Sequence, residues 1–188
     1  TPETNWREVI EALGTVFVKP ALEGSSLGMN KACDAAELES AYRHASTFGA
    51  DVIAEQFVSG PEYTVAILGD RALPSIRIDV SGDFYDFDAK YHSQDTRFTC
   101  PSDLATEDEA ALSELALAAF AAVGGEVWGR VDVMRDAGGP WQLLEVNTVP
   151  GMTSHSLVPL AARVAGLSLL DLLTEIYEHS VEARYAKQ

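Results

Sequence analysis

The chain is poor in cysteine, in lysine and in long apolar runs, and each shortage removes a class of protein. Its 188 residues hold two cysteines, Cys33 and Cys100, 67 positions apart with no partner spacing. That argues against a disulfide framework and fits a reducing compartment such as the cytoplasm. Both cysteines read as small core or loop residues. Four lysines, Lys19, Lys31, Lys90 and Lys187, are scattered along the chain, and Lys plus Arg total 13 against 29 Asp plus Glu. The net charge is −16 and the sequence pI is near 4.4. A nucleic-acid groove needs clustered cations, and an anionic membrane surface attracts them, so neither partner is expected. No stretch reaches the roughly 18 to 20 uninterrupted apolar residues of a membrane span, and no basic and then apolar leader opens the chain. It also lacks an initiating Met, which sets the expectation that the natural protein begins further upstream. What the chain does have is core material: 47% of its residues are hydrophobic and its mean hydropathy is 0.00. That lies far from disordered compositions and suffices for about one domain or slightly more.

Periodicity organises the chain as α+β. Apolar residues at 6, 9, 10 and 13 predict a helix closed by Gly14. Thr15 to Pro20 reads as a buried strand stopped by its proline, then the small-residue loop Glu23-Gly24-Ser25-Ser26-Leu27-Gly28 and a strand from Met29 to Ala32, together a hairpin. Asp34 to Glu37 resembles a capping box, and Leu38, Ala41, Tyr42 and Ala45 give the following helix its apolar face. Asp51 to Val58 is a further strand. From Glu62 longer β segments follow: Tyr63 to Leu68, a Gly69-Asp70 turn, and Arg71 to Ile78, where Pro74 implies an edge or a bulge. Residues 82 to 101 have weak periodicity and are expected to be a functional loop or lid. Thr106 to Glu109 is expected to cap a helix running through Leu112, Leu115, Ala116, Ala119, Phe120 and Val123. Val127 to Met134 and Trp141 to Val146 read as paired strands, and Leu157 to Ala165 and Leu169 to Tyr177 as two helices, the second capped by Ser168. A purely parallel doubly wound sheet would alternate more regularly.

The chemistry-bearing residues concentrate in the last hairpin and around two lysines. Strand side chains at i and i+2 share a face, which groups Arg130 with Asp132 and Glu145 with Asn147. If the strands are antiparallel neighbours, three oxygen ligands converge in a form suited to a hard cation such as Mg²⁺. A solvated strand face with an Arg/Asp pair explains the same residues about as well. Lys19 ends an apolar strand, where it either snorkels or meets a ligand anion. The loop 23–28 could cover a polyphosphate with backbone N–H groups, although a hairpin turn accounts for it too. Asn147 to Leu157 leads small polar residues into a helix N-terminus, an arrangement suited to a carboxylate or oxyanion but also to an ordinary Ser156 cap with Pro159 in the first turn. His155 has no triad spacing and reads as structural.

Taken together, Val18-Lys19-Pro20, the loop 23–28, Glu55 with Ser59-Gly60-Pro61-Glu62, Ala89-Lys90-Tyr91, Gly129 to Asp132, Glu145-Val146-Asn147 and Pro150 to Ser156 resemble one family. In order and spacing they are similar to the central and C-terminal parts of a bacterial D-alanine–D-alanine ligase of the ATP-grasp superfamily, over nearly the whole chain. The resemblance implies an α+β ATP-grasp fold: residues 1–60 as the remainder of the central subdomain, 61–188 as the C-terminal subdomain, and an N-terminal substrate domain absent from this chain. It implies that Lys19 holds ATP phosphates, that Glu55 takes the adenine amino group with Gln56, Phe57 and Val58 beside the base, and that Glu62 takes the ribose hydroxyls. Asp132, Glu145 and Asn147 would carry two Mg²⁺ or Mn²⁺ ions. Lys90 would meet the transferred phosphate, and Arg130 with the Gly151 N–H the developing oxyanion. Ser156 and the Leu157 N–H would bind the second D-alanine's carboxylate, while Ser25 and Tyr91 would order the lid.

The implied reaction joins two D-alanines through an acyl phosphate for peptidoglycan precursor synthesis, in the cytoplasm and in a full-length homodimer. Gln56 and Val149 depart from other members, which carry lysine and serine there. Another phosphate-binding lysine is missing along with the N-terminal domain, so the chain taken alone is expected to be a truncated, inactive form. The alternatives are a D-Ala–D-Ser or D-lactate ligase, against which Tyr91 in its Ala-Lys-Tyr setting argues, and a non-catalytic nucleotide- or cation-binding fragment.

Overall fold

The computed structural model describes residues 4–24, 26–49, 51–80, 96–136 and 138–185. They divide into two compact units, one running to Val58 and the other comprising Ser59–Asp79 and the chain from Arg97 onward.

The first unit contains α1 (Trp6–Leu13), β1 (Val16–Pro20), β2 (Asn30–Ala32), α2 (Ala35–Ser46) and β3 (Val52–Gln56). Its sheet has the order β2-β1-β3 with both pairings antiparallel, so the expected hairpin is present. Alternation along β1 buries Val16 and Val18, which pack with Ala32 and the Leu38, Ala41 and Ala45 stripe of α2. The opposite face of the sheet carries Phe17 and Lys19, in keeping with the two-residue period of a strand. Asp34 caps α2 as its position predicts, its carboxylate accepting from the Ala36 and Glu37 N–H groups at 2.9 Å each. Glu37 reaches back one residue further than in a standard capping box, to the Cys33 N–H at 2.7 Å.

The second unit holds β4 (Glu62–Leu68), β5 (Arg71–Ala72), β6 (Ile76–Asp79), β7 (Arg97–Thr99), α3 (Thr106–Ala122), β8 (Trp128–Met134), β9 (Gln142–Asn147), α4 (Leu157–Val164) and α5 (Leu169–Tyr185). Its antiparallel sheet runs β7-β6-β4-β8-β9, with β5 pairing β4 off that path. Both faces are covered, which is why Tyr63–Leu68 reads as an almost continuous apolar run. Tyr63, Val65, Ile67, Val131 and Val133 pack against Leu112, Ala116 and Phe120 of α3. Ala66, Leu68 and Ile76 pack against Val158 and Ala161 of α4 and Leu172 of α5. Fully burying a leucine such as Leu112 or Leu172 contributes about 1.5–3 kcal/mol, so these side chains hold the helices onto the sheet. Among the described residues no single helix is long and apolar enough to cross a membrane.

Four local expectations are corrected. The strand read as Arg71–Ile78 is two, because Pro74 has no N–H to continue the ladder and β6 restarts at Ile76. The end of the stretch read as irregular contains β7, whose Arg97–Thr99 pair with Asp79–Arg77 of β6. Residues 82–95 of the expected lid lie outside the described residues. Thr106–Glu109 does not cap its helix: Ala105 occupies the N-cap position with no side-chain cap bond. Glu109 instead accepts from the Ser75 N–H at 2.9 Å and the Ser75 hydroxyl at 2.5 Å, while Asp108 takes both Nη groups of Arg135 at 2.8 and 2.6 Å. The acids of that first turn therefore fasten α3 to distant parts of its unit. The last helix, finally, extends eight residues past Tyr177 to Tyr185.

Candidate functional site

A cluster of charged side chains lies on the hairpin of β8 and β9 beside the neighbouring strand β4. Register sets Asp132 opposite Thr64 on one side and Glu145 on the other, and Arg130 opposite Asn147. Residues directly across an antiparallel pair share a face, so Thr64, Arg130, Asp132, Glu145 and Asn147 line one side of the sheet. On that same face, Ala66 and Leu68 lie under α4 and α5. A bulge between Asp132 and Val133 then shifts the register.

Within the cluster the Arg130 guanidinium grips Asp132 with two hydrogen bonds, Nε to Oδ1 at 2.8 Å and Nη2 to Oδ2 at 2.7 Å. Asp132 is only 4% exposed and its Oδ1 also accepts from the buried Thr64 hydroxyl at 2.5 Å. Glu145 stands 3.8 Å from the same Nη2. Burial pulls the Arg130 pKa down, but the hydrogen bonds to Asp132 and the charges of Asp132, Glu145 and Glu62 outweigh it and hold the guanidinium above its ordinary value. Arg130 is thus a permanent cation that spends two N–H groups on Asp132 and has further donors in its fork.

The donor chemistry suits a hard divalent cation. Asp132, Glu145 and Asn147 offer carboxylate and amide oxygens at adjacent register positions. A carboxylate has more lone-pair positions than Asp132 uses on Arg130 and Thr64. Among the described residues no group of three or more His, Cys, Asp and Glu side chains is placed to hold a metal by itself. The set therefore fits a magnesium-like ion that completes its shell from water and phosphate oxygens, and fits poorly a closed protein cage.

The segment after β9 folds into a compact turn. Asn147 Oδ1 accepts from the Val149 N–H at 3.1 Å. Ser156 occupies the N-cap position of α4 without capping it, because its Oγ accepts from the Thr153 N–H at 3.0 Å and lies 2.9 Å from Thr153 Oγ1. When the Thr153 hydroxyl donates, Ser156 keeps its own O–H to donate outward. Gly151 lies against this pair, and a Cβ there would sit 3.0 Å from Ser156 Oγ. Ser156, Leu157 and Gly151 are therefore neighbours at the start of α4, where unpaired N–H groups favour a carboxylate.

In the first unit, Lys19 and Glu55 form an ion pair at 2.7 Å on the sheet face away from the helices. Their side chains are 30% and 43% exposed, and such a pair contributes about 0–1 kcal/mol, so a ligand phosphate can replace Glu55 at little cost. Phe57 packs edge-on against Phe17 with centroids 5.3 Å apart, and its N–H donates to the Thr15 carbonyl at 2.9 Å. Gln56 is exposed and Val58 half-buried. The loop before β2 closes on Gly28, whose φ of +71° and contacts at 2.7 Å to Phe48 and 2.9 Å to Pro20 from a virtual Cβ leave room for no other residue.

Between the strands, the Ser59 N–H and hydroxyl donate to Asp136 Oδ1 at 2.8 and 2.6 Å. The Ser59 hydroxyl first, then its N–H, hold the Asp136 carboxyl below the usual carboxylate range. A Cβ at Gly60 would collide with the Arg135 carbonyl oxygen, so the Ser59-Gly60-Pro61 approach to Glu62 depends on that glycine.

Of the residues singled out from sequence, Arg130, Asp132 and Glu145 are brought together with Asn147 beside them, Lys19 meets Glu55, and Gly151 meets Ser156. Ser25, Lys90 and Tyr91 lie outside the described residues. Two residues were missed. Thr64 left one signal in the sequence, a hydroxyl in an apolar strand two positions from Glu62 and on its face; Lys31 left none, since its place opposite Phe17 is set by the β1–β2 register.

Residues 2–178 match the family model described as D-ala D-ala ligase C-terminus. The chain is 50% identical to a D-alanine–D-alanine ligase of Idiomarina loihiensis, an alignment covering 96% of this chain and 63% of that protein. It superposes on a D-alanine–D-alanine ligase crystal structure from Bacillus anthracis with a TM-score of 0.85 at 32% identity, covering 99% of this chain and 60% of that one. A structure of the same organism's ligase complexed with ATP gives 0.83 at 28% identity, covering 99% and 59%. The chain spans about three fifths of the length of these relatives.

Proposed function

Because the chain belongs to the D-ala D-ala ligase C-terminus family and has the ATP-grasp fold, we propose that it is the nucleotide-handling and condensing part of an enzyme joining two D-alanines, with ATP converted to ADP and phosphate. The observation that carries the reading is the Arg130–Asp132–Glu145 cluster with Asn147 at its side. It unites a fixed cation with hard oxygen donors on one sheet face. Residues 1–60 are then the remainder of the central subdomain and 61–188 the C-terminal one.

ATP phosphates would take the place of Glu55 on Lys19, which releases Glu55 toward the adenine amino group; Gln56, Phe57 and Val58 would border the base and Glu62 the ribose. Mg²⁺ or Mn²⁺ held by Asp132, Glu145 and Asn147 would neutralise charge on the phosphate oxygens. A carboxylate oxygen of the first D-alanine attacks the γ-phosphorus and ADP leaves, giving an acyl phosphate. Lys90 would meet the transferred phosphate. The second D-alanine, its carboxylate on Ser156 and the Leu157 N–H, presents its amine to the activated carbonyl. The remaining Arg130 donors and the Gly151 N–H stabilise the tetrahedral oxyanion until phosphate departs. Ser25 and Tyr91 would order the cover that keeps water from the acyl phosphate. We place this reaction in the cytoplasm, supplying a peptidoglycan precursor, in a homodimer of the longer protein.

The test is phosphate release from ATP by a protein extended upstream to the relatives' length. D-alanine is expected to stimulate release at least several-fold and to yield the dipeptide. ATP hydrolysis indifferent to D-alanine would overturn the reading.

A further inference from the structure

Lys31 meets an aromatic ring where Lys19 and Arg43 of the same unit meet carboxylates. Its ammonium lies over the Phe57 ring, 4.2 Å from the centroid. Register explains how it gets there: Lys31 is directly across from Phe17 on β2, and Phe17 is directly across from Glu55 on β3. Lys31, Phe17 and Glu55 therefore form one row over three strands on the face turned away from α1 and α2, and Phe57 follows two residues after Glu55. Three constraints meet on the Phe57 ring: the ammonium over its face, the Phe17 ring at an interplanar angle of 67°, and the backbone bond to Thr15.

The ring quadrupole attracts the ammonium to the face of Phe57 and restricts where that ring can turn. We propose that Lys31 is a positioning residue for base binding, clamping Phe57 in the orientation against which the purine of the nucleotide packs. This rests on the nucleotide reading given above. Lys19 handles the phosphates in that reading, and Lys31, across Phe17 from Glu55 in the same row, acts on the base through the ring.

The test compares wild type, Lys31→Met and Lys31→Arg in the longer protein, by calorimetric titration with ATP, ADP and adenosine. Methionine keeps an apolar stem and removes the cation; arginine keeps a cation able to stack on the ring. Lys31→Met is expected to weaken all three ligands by a common factor of about two- to five-fold, with Lys31→Arg restoring most of the loss. Weakening graded as ATP over ADP over adenosine would show that Lys31 contacts phosphate, and would overturn the proposal. So would unchanged affinities, or a melting-temperature shift without an affinity change, while wild type binds ATP. Failure of wild type itself to bind ATP would refute the nucleotide reading and this proposal with it.

Discussion

Replacing Asp132 by alanine is expected to lower the unfolding free energy by about 3–5 kcal/mol, the cost of removing one member of a buried ion pair. The size follows from what stays behind. The Arg130 side chain, 18% exposed, would keep its charge in a half-buried position without its bidentate partner, and the buried Thr64 hydroxyl would lose its acceptor. An exposed pair such as Arg43–Glu39 offers the contrast: both side chains remain solvated, and breaking it costs about 0–1 kcal/mol. Asp132→Asn keeps an oxygen for Thr64 or Arg130 and should lose less stability than alanine while weakening the cation site. Urea titrations of the three proteins, compared at equal m-values, give the difference. A loss below about 1 kcal/mol in the alanine variant would mean that the pair contributes no more than a surface contact.

The second large effect concerns rate. In the longer protein, Arg130→Lys is expected to reduce the rate of dipeptide formation by about 10²–10³, the usual cost of removing a preorganised oxyanion donor. Lysine preserves a positive charge beside Asp132, so the fold should tolerate it better than a neutral residue. It does not preserve the planar fork: an ammonium that reaches Asp132 cannot also present a second, fixed set of N–H groups to an oxyanion. The account predicts a fall in kcat with the KM for ATP little changed. A raised KM at constant kcat would assign Arg130 to ground-state binding instead.

How much of this was legible in the sequence depended on how local the interaction is. Asp34 declared its cap because the groups it accepts from lie two and three residues on. The β8–β9 pairing was readable because two strands flank a short Gly-Gly-Pro turn, and the alternation of Arg130 and Asp132 assigned their shared face. Glu109 was misread because its first-turn position suits a cap equally well, and its actual partner, Ser75, is 34 residues away. Thr64 was passed over for the same reason, since it meets Asp132 across 68 residues. Lys31 sits in a strand of three residues, too short for alternation to show which way it faces. The pairing of Lys19 with Glu55 likewise depends on the β1–β3 register, which no local pattern encodes.

The charge of the chain acquires a structural sense from these contacts. With a net charge of −16, attraction of an anionic nucleotide must be local. Lys19 is held by a weak, replaceable partner, Arg130 spends two of its donors on Asp132 and keeps the rest of its fork, and the acids of the cluster suit a cation that itself binds phosphate.

The most direct measurement of the central claim follows an oxygen atom. If a D-alanine carboxylate attacks the γ-phosphorus of ATP and the amine of a second D-alanine then displaces phosphate, the oxygen that made the attack leaves with the phosphate. The longer protein, supplied with ATP and D-alanine labelled with ¹⁸O in the carboxylate, is predicted to release inorganic phosphate carrying one ¹⁸O for each dipeptide formed. Dipeptide accompanied by unlabelled phosphate would contradict the acyl-phosphate route, and with it the roles assigned to Arg130 and Gly151.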